Sequence, residues 1–360
     1  MRPRHLISAI FFVGTLCACI FAQEKTDEVI KIDTSLVNIP VIVSDRDNRY
    51  IPGLTRDNFK LFQDGDAQKI EVFGNDKAPM TVVLALDTSL STTPVLGKIK
   101  KAAKEFVENL DPEDRALIVA FDWDVHFLSS LTSDKKVLDK AINHASIGEQ
   151  AGTVLNDAVY LAVTSSLRII KGRKAIILLT DGKDHGSDRT KSEVIDRLTE
   201  SDTVVYPVFY DTANFMQQVR RDRLRVGRLP GGMGGGRGMG RFPGGGGGMG
   251  RFPGGGMGRG GGGMGRPRGG NGRGMGDDNE SAIAFLQKLA EVTGGRFFKQ
   301  EKDDLSEAFE QIADEMKRQY VLGYYPATDS IAGTVHKIKI QVDRPESVVR
   351  SKSEYRTQAR

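Results

Sequence analysis

The sequence predicts an α/β fold: a doubly wound, mostly parallel sheet with helices on both faces, flanked by a small β-sandwich-like unit from the N- and C-terminal segments. Three observations carry this. Val82–Leu86, Leu117–Phe121, Ala175–Leu179 and Val204–Phe209 are continuous apolar runs, the pattern of strands buried on both faces of a parallel sheet. Segments with apolar residues at 3–4 spacing alternate with them, as crossover helices require. Short strands of period two stand at the two ends of the chain, each group too small to hold a core alone.

Taken in order, residues 1–22 read as a secretory signal. Arg2 and Arg4 form a basic start, Leu6 to Ile20 is apolar, and Ile20-Phe21-Ala22 precedes a cleavage point before Gln23. The apolar run is short for a spanning helix, which needs about 20 residues. Leu16-Cys17-Ala18-Cys19 offers a competing reading, a lipobox that would make Cys19 a lipid-modified N-terminus. Cleavage after Ala22 leaves a mature chain without cysteine, hence without disulfide or thiol chemistry. Export to the periplasm or beyond the cell is therefore expected, with no transmembrane helix in the mature chain.

Residues 28–78 are expected to form an N-terminal β region. Val37, Ile39, Val41 and Val43 alternate as in a half-buried strand. Residues 59–62 and 69–73 flank Asp64-Gly65-Asp66, a hairpin signal. The α/β domain spans 79–318. After its first strand comes a helix marked by Ile99, Ala102, Ala103, Phe106, Val107 and Leu110. Val125 to Leu128 is a strand that follows Leu117–Phe121 across the turn Asp122-Trp123-Asp124. Helices are expected near 134–145, 154–169 and 190–200. Ser281 to Val292 is another, stopped by Gly294-Gly295. Arg296 to Phe298 reads as a short strand and Leu305 to Met316 as the last helix. The C-terminal β region, 319–360, holds Tyr320–Tyr325 and the alternating Ile338, Ile340 and Val342.

An insert at 220–278 interrupts the α/β pattern. Of 42 glycines, 28 lie between Gly227 and Gly276, together with eight arginines, six methionines and no acidic residue. Gly-Met-Gly-Arg-Phe-Pro-Gly-Gly-Gly occurs at 238–246 and again at 248–256. Such glycine density does not offset the backbone entropy of folding, so this segment is expected to be disordered. The insert's positive charge masks a mildly acidic remainder, so the sequence pI of 8.9 is no sign of a nucleic-acid-binding domain. Its Arg, Gly and Phe also resemble RNA-contacting segments, against which export argues. The other readings are a flexible linker, a contact for anionic surfaces, and a methionine site for a soft ion such as Cu(I).

The chemistry-bearing residues sit at strand ends. Strand 82–86 runs into Asp87-Thr88-Ser89-Leu90-Ser91, a D-x-S-x-S loop. Strand 175–179 runs into Thr180-Asp181-Gly182, and Gly152-Thr153 opens the helix near 154. Open α/β sheets bind ligands at the carboxyl ends of their strands. Hydroxyl and carboxylate oxygens are hard donors suited to Mg²⁺ or Mn²⁺. Ser and Thr after strands also cap helices, so each residue alone is weak evidence, and the five together carry the site.

With those residues in place, the chain resembles the von Willebrand factor A family over roughly 79–318. The match is Asp87, Ser89 and Ser91, then Thr153, then Asp181, in the family's order. The resemblance implies that Ser89, Ser91 and Thr153 touch one divalent ion (Mg²⁺, or Mn²⁺ or Ca²⁺). It implies that Asp87 and Asp181 act mainly through waters, and that a carboxylate of a protein partner completes the sphere. It therefore implies a binding module of adhesion type, not an enzyme. Leu90 and Thr92 stand where the family often has Gly and Met, and neither is a donor. The flanking strands more narrowly resemble exported VWFA-related proteins first described from Acidobacteria.

Rival readings remain. Asp122-Trp123-Asp124-Val125 resembles the nucleophile loop of haloacid dehalogenase-like phosphatases; the plainer reading is a hairpin turn. Asp181, Asp184 and His185 suggest a hydrolytic metal centre, but His126, His144 and His336 are scattered without ligand spacing. A structural envelope protein whose metal site no longer functions is the third alternative.

Overall fold

The structure, a computed structural model, describes residues 36–47, 49–74, 79–212, 274–300, 305–326, 331 and 333–357. The expected signal segment, with Cys17 and Cys19, and most of the insert lie outside the described residues.

A six-stranded sheet forms the centre. Its strands are β5 (Met80–Asp87), β6 (Arg115–Phe121), β7 (Val125–Phe127), β8 (Arg173–Thr180), β9 (Val204–Tyr210) and β10 (Phe298–Gln300). Their order is β10-β9-β8-β5-β6-β7, parallel except for the β6–β7 hairpin. Strand β5 shows why its sequence is a continuous apolar run. Val82, Leu84 and Leu86 enter one core and Val83 and Ala85 the other, all fully buried. Helices α1 (Leu96–Glu108) and α2 (Lys135–His144) cover the first face. Helices α3 (Leu155–Leu161) and α4 (Lys191–Glu200) cover the second. After the insert, α5 (Gly274–Thr293) joins the second face and α6 (Ser306–Lys317) the first.

The order of strands positions the site. From β5 the chain moves outward to β6 and β7, then returns to build β8, β9 and β10 on the other side. Strand order therefore reverses between β5 and β8. The connection after β5 leads to α1 on one face, and the one after β8 leads to α4 on the other. Loops diverging to opposite faces open a crevice at the carboxyl ends of these two strands.

The chain ends build two four-stranded antiparallel sheets. One has the order β13-β1-β11-β4, from β1 (Val37–Ser44), β4 (Val72–Gly74), β11 (Tyr320–Tyr324) and β13 (Val348–Ser351). The other has the order β14-β12-β2-β3, from β2 (Phe59–Gln63), β3 (Asp66–Gln68), β12 (Val335–Val342) and β14 (Glu354–Arg356). Ile39, Val41, Leu61, Tyr320, Leu322 and Ile338 fill one core between them. The expected discontinuous sandwich is thus present.

Several boundaries differ from the sequence expectation. The hairpin partner of β2 is β3, joined by the two-residue turn Asp64-Gly65, and not the run at 69–73. That run instead crosses between the sheets: Ile70 is buried in the shared core, and β4 pairs with β11. The helix expected over 154–169 is α-helical only to Leu161 and continues as a π-helix over Ala162–Leu167. Helix α5 begins at Gly274, so the last residues of the expected insert are helical. Strand β10 lies two residues later than Arg296–Phe298.

Polar contacts lock the sandwich onto the α/β unit. Lys352 is 2% exposed, and its ammonium donates to the Thr199 and Ser201 carbonyls at 3.1 and 3.0 Å. A cation there satisfies the orphan carbonyls ending α4 and complements its dipole. Burial pulls the Lys352 pKa down to about 8, against a smaller upward effect from Asp202. Arg350 pairs with Glu315 of α6 at 2.5 Å, and Arg356 with Asp196 of α4 at 2.5 Å.

Gly295, between α5 and β10, has no room for a side chain. A Cβ there would stand 2.0 Å from the Val205 carbonyl oxygen of β9. Because that obstacle is backbone, Gly295→Ala is expected to cost about 1–3 kcal/mol, lowering the thermal midpoint by several degrees. Gly97→Ala on α1, where a Cβ meets nothing within 4 Å, is expected to be neutral or stabilising. Thermal unfolding followed by circular dichroism compares the two; equal midpoints would contradict this packing.

Candidate metal centre

Asp87 ends β5 at the centre of the sheet and is fully buried. A buried carboxylate needs partners for its oxygens, and the adjoining loops supply them. Its Oδ1 accepts from the Ser89 amide at 3.0 Å and the Ser89 hydroxyl at 2.6 Å. Its Oδ2 accepts from the Thr180 hydroxyl at 2.7 Å, across the gap between β5 and β8. The Ser89 and Ser91 hydroxyls lie 3.1 Å apart. Leu90–Thr92 is a 3₁₀ turn, and the Thr92 hydroxyl donates to the Ser89 carbonyl at 2.8 Å. That turn is what brings both serine side chains beside Asp87.

Asp181 follows β8 and is 2% exposed. Its Oδ1 accepts from the Lys183 amide at 3.3 Å. Its Oδ2 accepts from the Lys183 ammonium at 3.2 Å and the Thr212 hydroxyl at 3.3 Å. The turn after it is tight: a Cβ on Gly182 would stand 2.9 Å from Ala282 Cβ of α5, at a φ of +76° that suits glycine.

The two carboxylates feel each other. Burial first, and then the charge of Asp181, push the Asp87 pKa up to about 7, against its hydrogen bonds from Ser89 and Thr180. Tyr210, at the end of β9, is buried beside them, and its hydroxyl has no hydrogen-bond partner among the described residues. Burial, then Asp87 and Asp181, hold its pKa well above the ordinary value.

Thr153 is 5% exposed and is placed by backbone contacts. Its carbonyl accepts from the His185 amide at 2.8 Å, and the next amide, of Val154, donates to the Asp122 carbonyl at 2.8 Å. Nearby, the Gly148 amide donates to the Thr88 carbonyl at 2.9 Å, tying the loop before α3 to the loop after β5. The structure thus joins Asp87, Ser89 and Ser91 by hydrogen bonds and couples Asp181 to them by charge. Thr153 stands on an adjacent loop without a side-chain bond to the other four.

The residues of the rival sequence readings also hold the fold. Asp122-Trp123-Asp124 is the turn of the β6–β7 hairpin. Asp122 is buried, accepting from the Asp124 amide and bonding His126 Nε2 at 3.0 Å. Asp184 accepts from the Asn156 amide and the Ser187 hydroxyl, which ties its loop to the start of α3. Among the described residues, no three His, Cys, Asp or Glu side chains converge as a metal-holding group. The oxygens that do gather here come from Asp87, Ser89 and Ser91, with Asp181 beside them. The donor set fits an ion: all are hard oxygens, and the Ser89 hydroxyl, whose hydrogen points to Asp87, keeps lone pairs for a cation. Sequence reasoning missed Thr180, Lys183, Thr212 and Tyr210 as parts of the site. Thr180 was visible beside Asp181, but only the pairing of β5 with β8 reveals its bond to Asp87.

Residues 81–222 match the model of the von Willebrand factor type A domain. No curated protein sequence matches the chain. Among solved structures, it is similar to the conserved hypothetical protein BatB from Bacteroides thetaiotaomicron, at 19% identity and a TM-score of 0.41, over 66% of this chain and 97% of that one. It is similar to proximal thread matrix protein 1 from the mussel byssus with a zinc-occupied MIDAS motif, at 14% identity and a TM-score of 0.44, over 71% and 49% of the two chains. A third is the vWF domain of the type V pili tip protein Mfa5 from Porphyromonas gingivalis, at 12% identity and a TM-score of 0.41, over 66% and 94%.

The raised Asp87 pKa has a measurable consequence in the ion-free protein. The folded state holds this proton up to about pH 7, whereas an unfolded Asp releases it near 3.9. Asp87 therefore contributes stability that is complete below about pH 4 and lost as pH rises through about 7. In chelator, the thermal midpoint of wild type minus that of Asp87→Asn should fall between pH 5 and pH 8. A difference that is flat or rises with pH would contradict the buried, coupled carboxylate.

Proposed function

We propose that this chain carries a von Willebrand factor type A domain that holds one divalent ion between β5 and β8 and uses it to bind an acidic side chain of a protein partner, without catalysing a reaction. The observation that carries the reading is the buried Asp87–Asp181 pair, ringed by hydroxyls at the point where strand order reverses. Two carboxylates out of water repel each other, and a cation relieves that repulsion. Ser89, Ser91 and Thr153 would hold the ion directly, and Asp87 and Asp181 through water. Mg²⁺ is our assignment from the hard donors, with Mn²⁺ or Ca²⁺ as alternatives.

Charge explains why a partner carboxylate belongs in the site. Three neutral hydroxyls place no negative charge against the ion, so the bound ion supplies Lewis acidity toward an anionic oxygen. This chain's own residues do the rest. The Ser89 loop presents two hydroxyls on one 3₁₀ turn, Thr180 orients Asp87, and the backbone around Thr153 holds the opposing wall. Against a hydrolase stands the bonding of the carboxylates among the described residues: hydroxyls, backbone amides and one lysine, with no histidine among them.

Export to the periplasm or the cell exterior is our reading from the N-terminal sequence. Among the described residues no helix is long and apolar enough to cross a membrane. The arginine-rich stretch 227–276, which has no acidic residue, gives a second contact, for anionic surfaces. The narrower likeness to exported VWFA-related proteins first described from Acidobacteria rests on the flanking strands' sequence.

Asp87→Ala and Asp181→Ala should each abolish Mg²⁺ binding in calorimetric titration while leaving the far-ultraviolet spectrum unchanged. Equal affinity in wild type and both variants would sink the site. Thr153→Ala should weaken binding of an acidic partner more than it weakens ion binding, because the hydroxyl tunes how strongly the ion draws the carboxylate. The two dissociation constants, measured on the same variant, decide this; partner binding that survives chelator would move the partner to another surface.

A further inference from the structure

We propose that Lys183 is the resident cation of this site: without an ion its ammonium balances Asp181, and an arriving divalent ion must displace it. The inference rests on the metal reading above and adds a residue that sets ion affinity.

The hydrogen bonds show which charge is unbalanced. Both Asp87 oxygens are taken by donors from its own loop and from Thr180. Among the described residues, Asp181 receives one hydroxyl, from Thr212 at 3.3 Å, and otherwise only Lys183, through its backbone amide and its ammonium. The Asp181 side chain is 3% exposed, so water balances little of its charge, whereas the Lys183 side chain is 32% exposed. The carboxylate cannot move out to solvent, and the amine can. That asymmetry is what a displaceable counter-ion requires.

The geometry fixes the pairing. Gly182 is pinned against Ala282 of α5, so the root of the Lys183 side chain is held two residues from the carboxylate it serves. Without an ion, Lys183 offsets the repulsion between Asp181 and Asp87. With an ion, two cations would compete for Asp181, and the flexible one leaves. Swung outward, the ammonium stays at the mouth of the crevice, where a partner's carboxylate would meet it.

A thermodynamic cycle tests this with Lys183→Gln, which removes the charge, and Lys183→Arg, which keeps it. Ion affinity is read by titration with Mg²⁺ and Mn²⁺, and stability by thermal unfolding in chelator and in saturating Mg²⁺. Because the lysine of this pair is partly open to solvent, the charge removed predicts about two- to fivefold tighter ion binding in Lys183→Gln, with Lys183→Arg near wild type. Lys183→Gln should melt below wild type in chelator and level with it in Mg²⁺. Unchanged ion affinity in Lys183→Gln, or an equal loss of stability with and without the ion, would overturn the role of Lys183 and leave the metal site standing. A wild type that binds neither ion would overturn both.

Discussion

Asp87 and Asp181 end neighbouring strands at the centre of the sheet, and burial presses their charges together. In a medium that solvates ions poorly, two adjacent carboxylates cannot both remain charged without compensation. The surrounding structure supplies it in layers. Hydroxyls from Ser89 and Thr180 bond Asp87, a proton is retained to about pH 7, and Lys183 sits on Asp181. These three devices answer one electrostatic demand, and the proposed divalent ion would answer it more directly. The site is therefore a compensated charge arrangement built into a rigid sheet edge.

The rigidity has its own source. Each central strand is apolar on both faces and is clamped by helices from two separate cores. The strand ends cannot shift without disturbing one or both. The terminal sandwich adds a brace. Lys352 caps α4 and Arg350 reaches Glu315 of α6, so one short C-terminal stretch touches helices on opposite faces of the sheet. The buried ammonium of Lys352 carries a desolvation cost, visible as its lowered pKa, and the two carbonyls ending α4 offset it.

Much of this was legible in the sequence, where local pattern and physical demand coincide. Val82–Leu86 and Ala175–Leu179 read as doubly buried strands because a strand with cores on both faces admits no polar position. The five proposed ion-site residues stood at strand or helix ends in a recognisable order. The boundaries that moved were those set by partners distant in sequence. The run at 69–73 looked like the return strand of a hairpin because its composition suits any strand. Which neighbour it takes is decided by Tyr320–Tyr324, some 250 residues away. Phe298–Gln300 likewise takes its bounds from its pairing with Val208–Tyr210, a contact no local pattern records.

The sequence by itself determined the alternation of strand and helix, the apolar identity of the sheet, and the side chains offered at its edge, because these follow from periodicity and residue chemistry along a short stretch. It did not determine the strand order that sets β5 beside β8. Nor did it give the bond from Thr180 to Asp87, the pressure of Asp181 on the Asp87 proton, or the ammonium of Lys183 in the pair. Each is a relation between groups that only the folded chain brings within hydrogen-bonding or Coulombic range, and their strength depends on the exclusion of water, which is a property of the whole packed edge and of no residue alone.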